Sequence, residues 1–120
     1  MDISKLRTSP TFHAPGQRQR IASVLAEDNE VAIGRARYGK GMKAPFHKHV
    51  GEEYIHVIRG KGVFRTRTDE ITATSGTVIR FAPGEEHQLE NRWKEPLEFV
   101  FVYPESSDTT PLKEKWVRIR

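Results

Sequence analysis

Short apolar runs, separated by turn-forming residues, set the pattern of this chain. Candidate strands lie at 21–26, 31–38, 53–59, 62–68, 70–74, 77–81, 86–91, 97–103 and 115–119. Between them stand Asp28-Asn29, Gly39 to Gly41, Gly60 to Gly62, Ser75-Gly76 and Pro83-Gly84, residue types that supply turn conformations. No stretch carries a convincing helical period, and no internal repeat or low-complexity tract is present. Many short, evenly spaced strands predict an all-β sandwich or barrel. Residues 1–20, punctuated by Pro10, Pro15 and Gly16, are expected to form an irregular arm. Residues 21–103 then form the β domain, and 104–120 a tail whose end, KEKWVRIR, can make a terminal strand.

Composition narrows the picture. A chain of 120 residues, 36% hydrophobic and 30% charged, is a single domain able to bury its own core. The absence of cysteine excludes disulfides and thiolate chemistry. No apolar run approaches the roughly 20 residues of a membrane helix, and residues 1–20 hold no apolar core of the signal-peptide kind, so no membrane partner and a cytoplasmic location are expected. The net charge of +4 raises a nucleic-acid reading. The cations, among them Lys5, Arg18, Arg20, Lys61, Arg65 and Arg67, are scattered among acids and form no nucleic-acid motif, which favours a solvated surface and no nucleic-acid partner.

The stretch GMKAPFHKHVGEEYIHVIRG, residues 41–60, concentrates candidate chemistry. Side chains two apart on an extended chain share a face. His47 and His49 therefore point together, and Glu53 returns to that face, with Gly51 free to bend the chain between them. Ile55 and Val57 follow Glu53 inward, whereas Tyr54, His56 and Ile58 turn outward. On a surface loop the histidines would simply be solvated. On the inner face they would cost several kcal/mol unless partnered, and a divalent metal would partner them. In SGTVIRFAPGEEHQLEN, residues 75–91, His87 shares a face with Leu89 and Asn91 beyond the Pro83-Gly84 turn. A barrel can bring it back beside the first group.

The two stretches together resemble the paired motifs of the cupin superfamily: Gly41, His47, His49, Glu53 and Gly60 in the first, and Gly76, Gly84, His87 and Asn91 in the second, where Ala82 replaces the usual proline. The resemblance implies a jelly-roll antiparallel β-barrel with His47, His49, Glu53 and His87 as metal ligands. Three imidazoles and a carboxylate suit Fe, Mn, Ni, Co or Zn. In an octahedral site two positions stay open for water, substrate or O2. The glycines read as turn-makers.

The remaining residues carry weaker expectations. His56 faces away and is read as a non-ligand, His13 as solvated, and Glu52 as turned from the site. Arg35 and Arg37 are either exposed or available to a substrate carboxylate or phosphate. Phe46, Phe64, Phe81, Phe99, Phe101 and Tyr103 are read as core, some of them walling a pocket. The function expected is that of a metal-dependent enzyme on a small oxygen-rich molecule, either a dioxygenase or an isomerase or lyase using the metal as Lewis acid, with Glu53 needed for turnover as well as for metal binding. No Ser/His/Asp set supports an ordinary hydrolase. The alternatives are a small-molecule-binding or sensor module and a purely structural metal. Bare sheet edges predict a homodimer.

Overall fold

In the computed structural model, which describes residues 1–120, ten strands follow one another: β1 (Thr11–Ala14), β2 (Gln17–Glu27), β3 (Ala32–Tyr38), β4 (Glu53–Arg59), β5 (Lys61–Thr66), β6 (Glu70–Thr74), β7 (Val78–Phe81), β8 (His87–Glu90), β9 (Leu97–Tyr103) and β10 (Val117–Arg118). One short helix, α1 (Thr110–Lys115), precedes the last strand. Seven strands form one sheet in the order β10-β1-β2-β3-β9-β4-β7, and three form the other, β6-β5-β8. Neighbouring strands are antiparallel throughout. No strand pair joins the two sheets, so of the barrel and the sandwich expected, the all-β jelly roll takes the form of a flattened sandwich.

Strand alternation builds the interior. Along β9, Leu97, Phe99, Phe101 and Tyr103 are buried while Glu98, Val100 and Val102 are only partly so. Ala22, Ala36, Phe99 and Val57 lie in register across four neighbouring strands of the large sheet, and all belong to the core cluster of 18 buried residues. Small residues on β2 and β3 leave room for the aromatic rings of β9. A side chain on Gly34 would place its Cβ 2.0 Å from the Phe101 ring, so this position admits no side chain without moving that ring.

Three expectations are corrected. The arm 1–20 is irregular only as far as Pro10, because β1 and the start of β2 occupy the rest of it. Pro15-Gly16 is the hairpin turn joining them, with Ala14 and Gln17 paired across it and Gly16 at φ +71°, the positive φ that glycine tolerates. The run Gln17-Arg18-Gln19-Arg20 is wholly polar, so it carries no apolar alternation to betray a strand. The tail contains α1, whose six residues are fewer than two turns and too few to show a period. The terminal strand spans Val117–Arg118, shorter than 115–119, and pairs with β1.

Candidate metal centre

His47 and His49 lie on the loop between β3 and β4 rather than on a strand, and the loop is pinned from both sides. On one side it pairs with β8: the His47 N–H donates to the His87 carbonyl at 3.0 Å and the His87 N–H to the His47 carbonyl at 2.9 Å. The turn after β7 joins in, with the Gly84 N–H donating to the His49 carbonyl at 2.9 Å. On the other side the buried carboxylate of Asp108 accepts the N–H groups of Val50 and Gly51, each at 2.9 Å. Gly51 packs so closely there that an added Cβ would stand 2.5 Å from the Cβ of Glu105. Glu53 opens β4 on its inner face, followed inward by Ile55 and Val57, and His87 opens β8.

These elements bring four predicted residues together. The imidazole ligand atoms of His47, His49 and His87 lie within 4.8 Å of one another. Glu53 Oε1 stands 3.2 Å from His49 Nε2 and 3.0 Å from His87 Nε2, yet neither approach has hydrogen-bond direction. All three atoms are buried without a hydrogen-bond partner. Glu53 and His87 are only 4% and 1% exposed, and each unpaired buried group costs about 1–3 kcal/mol. Outside this cluster two of the histidines are tied to backbone carbonyls. His47 Nδ1 meets the Pro45 carbonyl at 2.8 Å and His87 Nδ1 the Glu85 carbonyl at 2.9 Å. With Nδ1–H donating there, the neutral form of each ring presents its Nε2 lone pair to the cluster. The Phe81 ring stacks on His87, with centroids 4.1 Å apart and planes at 9°, and fixes its tilt. A divalent cation fits this set, since it would satisfy these three atoms at once.

Protonation agrees with that fit. Burial, then the neighbouring His87 ring, pushes His47 down to about 4, so its imidazole is neutral near pH 7. Burial pulls the Glu53 carboxyl upward, but in the metal-free site the His49 and His87 rings, where they carry the Nε2 proton, outweigh it and hold the group down at about 2. A neutral imidazole and an ionised carboxylate are the forms that bind metals.

The cluster opens into a cavity of about 370 Å³, within the range of roughly 300–1,000 Å³ usual for small-ligand sites. Its apolar wall includes Ala22, Ala36, Leu89, Phe99 and Phe101, and Tyr103 lies beside His49. The residues expected outside the site are outside it. His56 is exposed, and Glu52 pairs with Arg80 at 2.6 Å. Arg35 and Arg37 lie beyond the cavity and meet Glu98 at 3.4 and 3.9 Å; Arg37 is exposed, as one alternative had it, and Arg35 is half-buried. Phe46 is half-buried beneath the Arg67 guanidinium rather than in the core. His13 is half-buried, with Nδ1 against the Ala14 carbonyl. The arginine that does line the cavity is Arg20, assigned to the solvated surface from sequence. The signal for it was the two-residue spacing of Arg20, Ala22 and Val24, visible once residues 17–27 are read as one strand.

Known proteins agree with this architecture. A predicted oxalate decarboxylase from Thermotoga maritima is 23% identical and superposes with a TM-score of 0.74, covering 84% of this chain and 96% of that one. The polyketide cyclase RemF from Streptomyces resistomycificus is 16% identical with a TM-score of 0.75, covering 86% and 78%. A sugar phosphate isomerase from Silicibacter pomeroyi is 18% identical with a TM-score of 0.70, covering 84% and 74%. At these identities the likeness is one of fold. No curated protein matches the chain. The family model for the cupin domain matches residues 34–103, more than half of the chain and the segment that holds both the histidine loop and β8, and the chain therefore belongs to the cupin family.

Proposed function

We propose that this cupin is a metal-dependent enzyme acting on a small, oxygen-rich molecule, with His47, His49, His87 and Glu53 holding one divalent transition metal. The observation that carries the reading is the convergence of His49 Nε2, His87 Nε2 and Glu53 Oε1, buried and unpaired, at a cavity of small-ligand size. When bound, Fe, Mn, Ni, Co or Zn supplies a Lewis acid for a substrate carbonyl or hydroxyl, and a redox-active metal adds O2 chemistry of the dioxygenase kind.

The chain's own part is positioning and exclusion. The Pro45 and Glu85 carbonyls orient His47 and His87, and Glu53 keeps its carboxylate charge toward the histidines. Phe99, Phe101 and Leu89 shield the reacting end from water, which strengthens electrostatic interactions there. Glu53, engaged with the histidines, is not a free base; its contribution to turnover is through the ligand set. Solved structures similar in fold include proteins described as a polyketide cyclase, a sugar phosphate isomerase and a predicted oxalate decarboxylase, a range compatible with Lewis-acid chemistry that selects no one reaction.

The test is to load the metal-free protein anaerobically with Fe(II), Mn(II), Ni(II) or Zn(II) and offer diketones, catechols, hydroxy acids and uronate-type sugars. O2 uptake restricted to Fe(II) would mark a dioxygenase, and an absorbance change without O2, tolerant of Zn(II), an isomerase or lyase. Tight binding without turnover for every metal would assign the chain to the binding modules instead.

A homodimer belongs to the same proposal. The outer face of the large sheet carries exposed Ile33, Tyr54 and Val78, and a second copy would cover them. Light scattering at micromolar concentration tests it, and a monomer contradicts it. No helix of the chain is long and apolar enough to cross a membrane; the cytoplasmic location is tested by cell fractionation.

A further inference from the structure

Arg20 is 7% exposed and takes part in none of the ion pairs of the molecule. Its Nε is buried without a hydrogen-bond partner. The contrast is Arg65, a less deeply buried arginine whose guanidinium is answered by Glu70 at 2.5 Å and Glu90 at 2.9 Å. A buried cation ordinarily has such a partner, because desolvating it alone is costly. What holds Arg20 instead is aromatic: its guanidinium lies 4.8 Å from the Trp116 ring centroid and 5.7 Å from that of Tyr38. Such contacts attract a cation and fix the guanidinium; the Tyr38 hydroxyl beside it offers a neutral acceptor, but Nε stays unpaired and no anion answers the charge.

Arg20 lines the same cavity as His47, His49 and Glu53. The cavity's own carboxylates do not answer it. Glu53 faces His49 and His87, and both oxygens of Asp108 are taken by the backbone of Val50 and Gly51. The other charged side chains at the cavity, Lys48 and Lys115, are also cations and are exposed. The cavity thus presents a metal-type cluster, an apolar middle and an unanswered arginine. A planar guanidinium matches a carboxylate through paired N–H···O bonds.

We propose that Arg20 sets the substrate class of this cavity: it takes the carboxylate of a small organic acid whose other, oxygen-bearing end reaches the histidine cluster. This deepens the metal-centre reading and rests on it.

The test is calorimetric binding to the full chain loaded with Zn(II), using 2-oxo and 2-hydroxy dicarboxylic acids from tartronate to 2-oxoadipate. Each acid is compared with the monoamide that keeps the chelating end and with the corresponding phosphonate. Wild type is expected to bind at least one diacid roughly tenfold or more tighter than its amide. Arg20→Gln should erase that preference while zinc content and amide affinity stay within about twofold, and Arg20→Lys should restore part of it. A preference that survives Arg20→Gln, a wild type that does not discriminate, tighter binding of the phosphonate, or failure of the whole series to bind overturns the proposal. If Arg20→Gln does not fold, Trp116 fluorescence in a Trp93→Phe background reads the same contact: the diacid should change it and the amide should not, and equal responses overturn the proposal. Zinc content of each sample separates the two readings. A chain that holds no metal yet keeps an Arg20-dependent preference defeats the metal centre alone, and a chain that holds metal without that preference defeats the role of Arg20 alone.

Discussion

His47 and Glu53 both resist protonation in the folded chain, and the consequence is a stability that falls with acid. In the unfolded chain His47 takes its proton near 6.5, whereas the folded site holds it off to about 4. Between those values the unfolded chain binds more protons, so stability drops as pH falls through that window. Glu53 acts in the same direction lower down: its contribution is present above its ordinary 4.5 and is lost as pH falls toward about 2. The metal-free protein should therefore show a level Tm above pH 7 and a decline beginning near 6.5, read by thermal unfolding across the range. His47→Gln should flatten the upper part of the decline; an unchanged profile would separate His47 from it. At this scale the sequence was informative where spacing was diagnostic. His47, His49, Glu53 and His87 could be grouped because strand alternation and a family resemblance pointed to the same residues. Arg20 could not, because a lone arginine in a polar run looks like any solvated charge, and its burial depends on Trp116, which is remote in sequence.

The histidine loop is an element shaped from outside itself. Asp108, just before α1, clamps the backbone of Val50 and Gly51, and β8 holds the loop's other flank through the His47–His87 bridge. Asp108→Ala should leave two N–H groups unanswered, at a cost of about 1–3 kcal/mol, and should weaken metal affinity by roughly 10–100-fold, as losses of outer supports do. Chemical denaturation and competitive chelation measure the two effects. Wild-type metal affinity in a destabilised Asp108→Ala would mean that the loop keeps its shape without the clamp. None of this was legible beforehand, because the Asp108 contacts span more than fifty residues and the tail carried no helical period. The β1–β2 hairpin was hidden for a related reason. Pro15-Gly16 was visible as a turn, but the polar strand leaving it was not. The strands with clear apolar alternation, 53–59 and 97–103, coincide with β4 and β9.

At the scale of the whole molecule the sandwich has a core independent of the metal-type cluster. The 18 residues of the buried cluster include Phe12, Val24, Leu97 and Leu112, none of which belongs to the ligand set. Metal removal should therefore lower Tm while leaving the far-ultraviolet circular dichroism of a β protein intact, unlike a zinc finger, whose fold depends on its metal. Unfolding on chelation alone would contradict that expectation. The central claim, that His47, His49, His87 and Glu53 form one metal centre, is tested most directly by the metal-to-chain ratio of purified and reconstituted protein, measured by elemental analysis for wild type, His49→Ala, His87→Ala and His56→Ala. The account predicts up to one ion per chain in wild type and in His56→Ala, with sharp loss in the other two. An empty wild type after reconstitution with every candidate metal, or equal losses in all three variants, would contradict it.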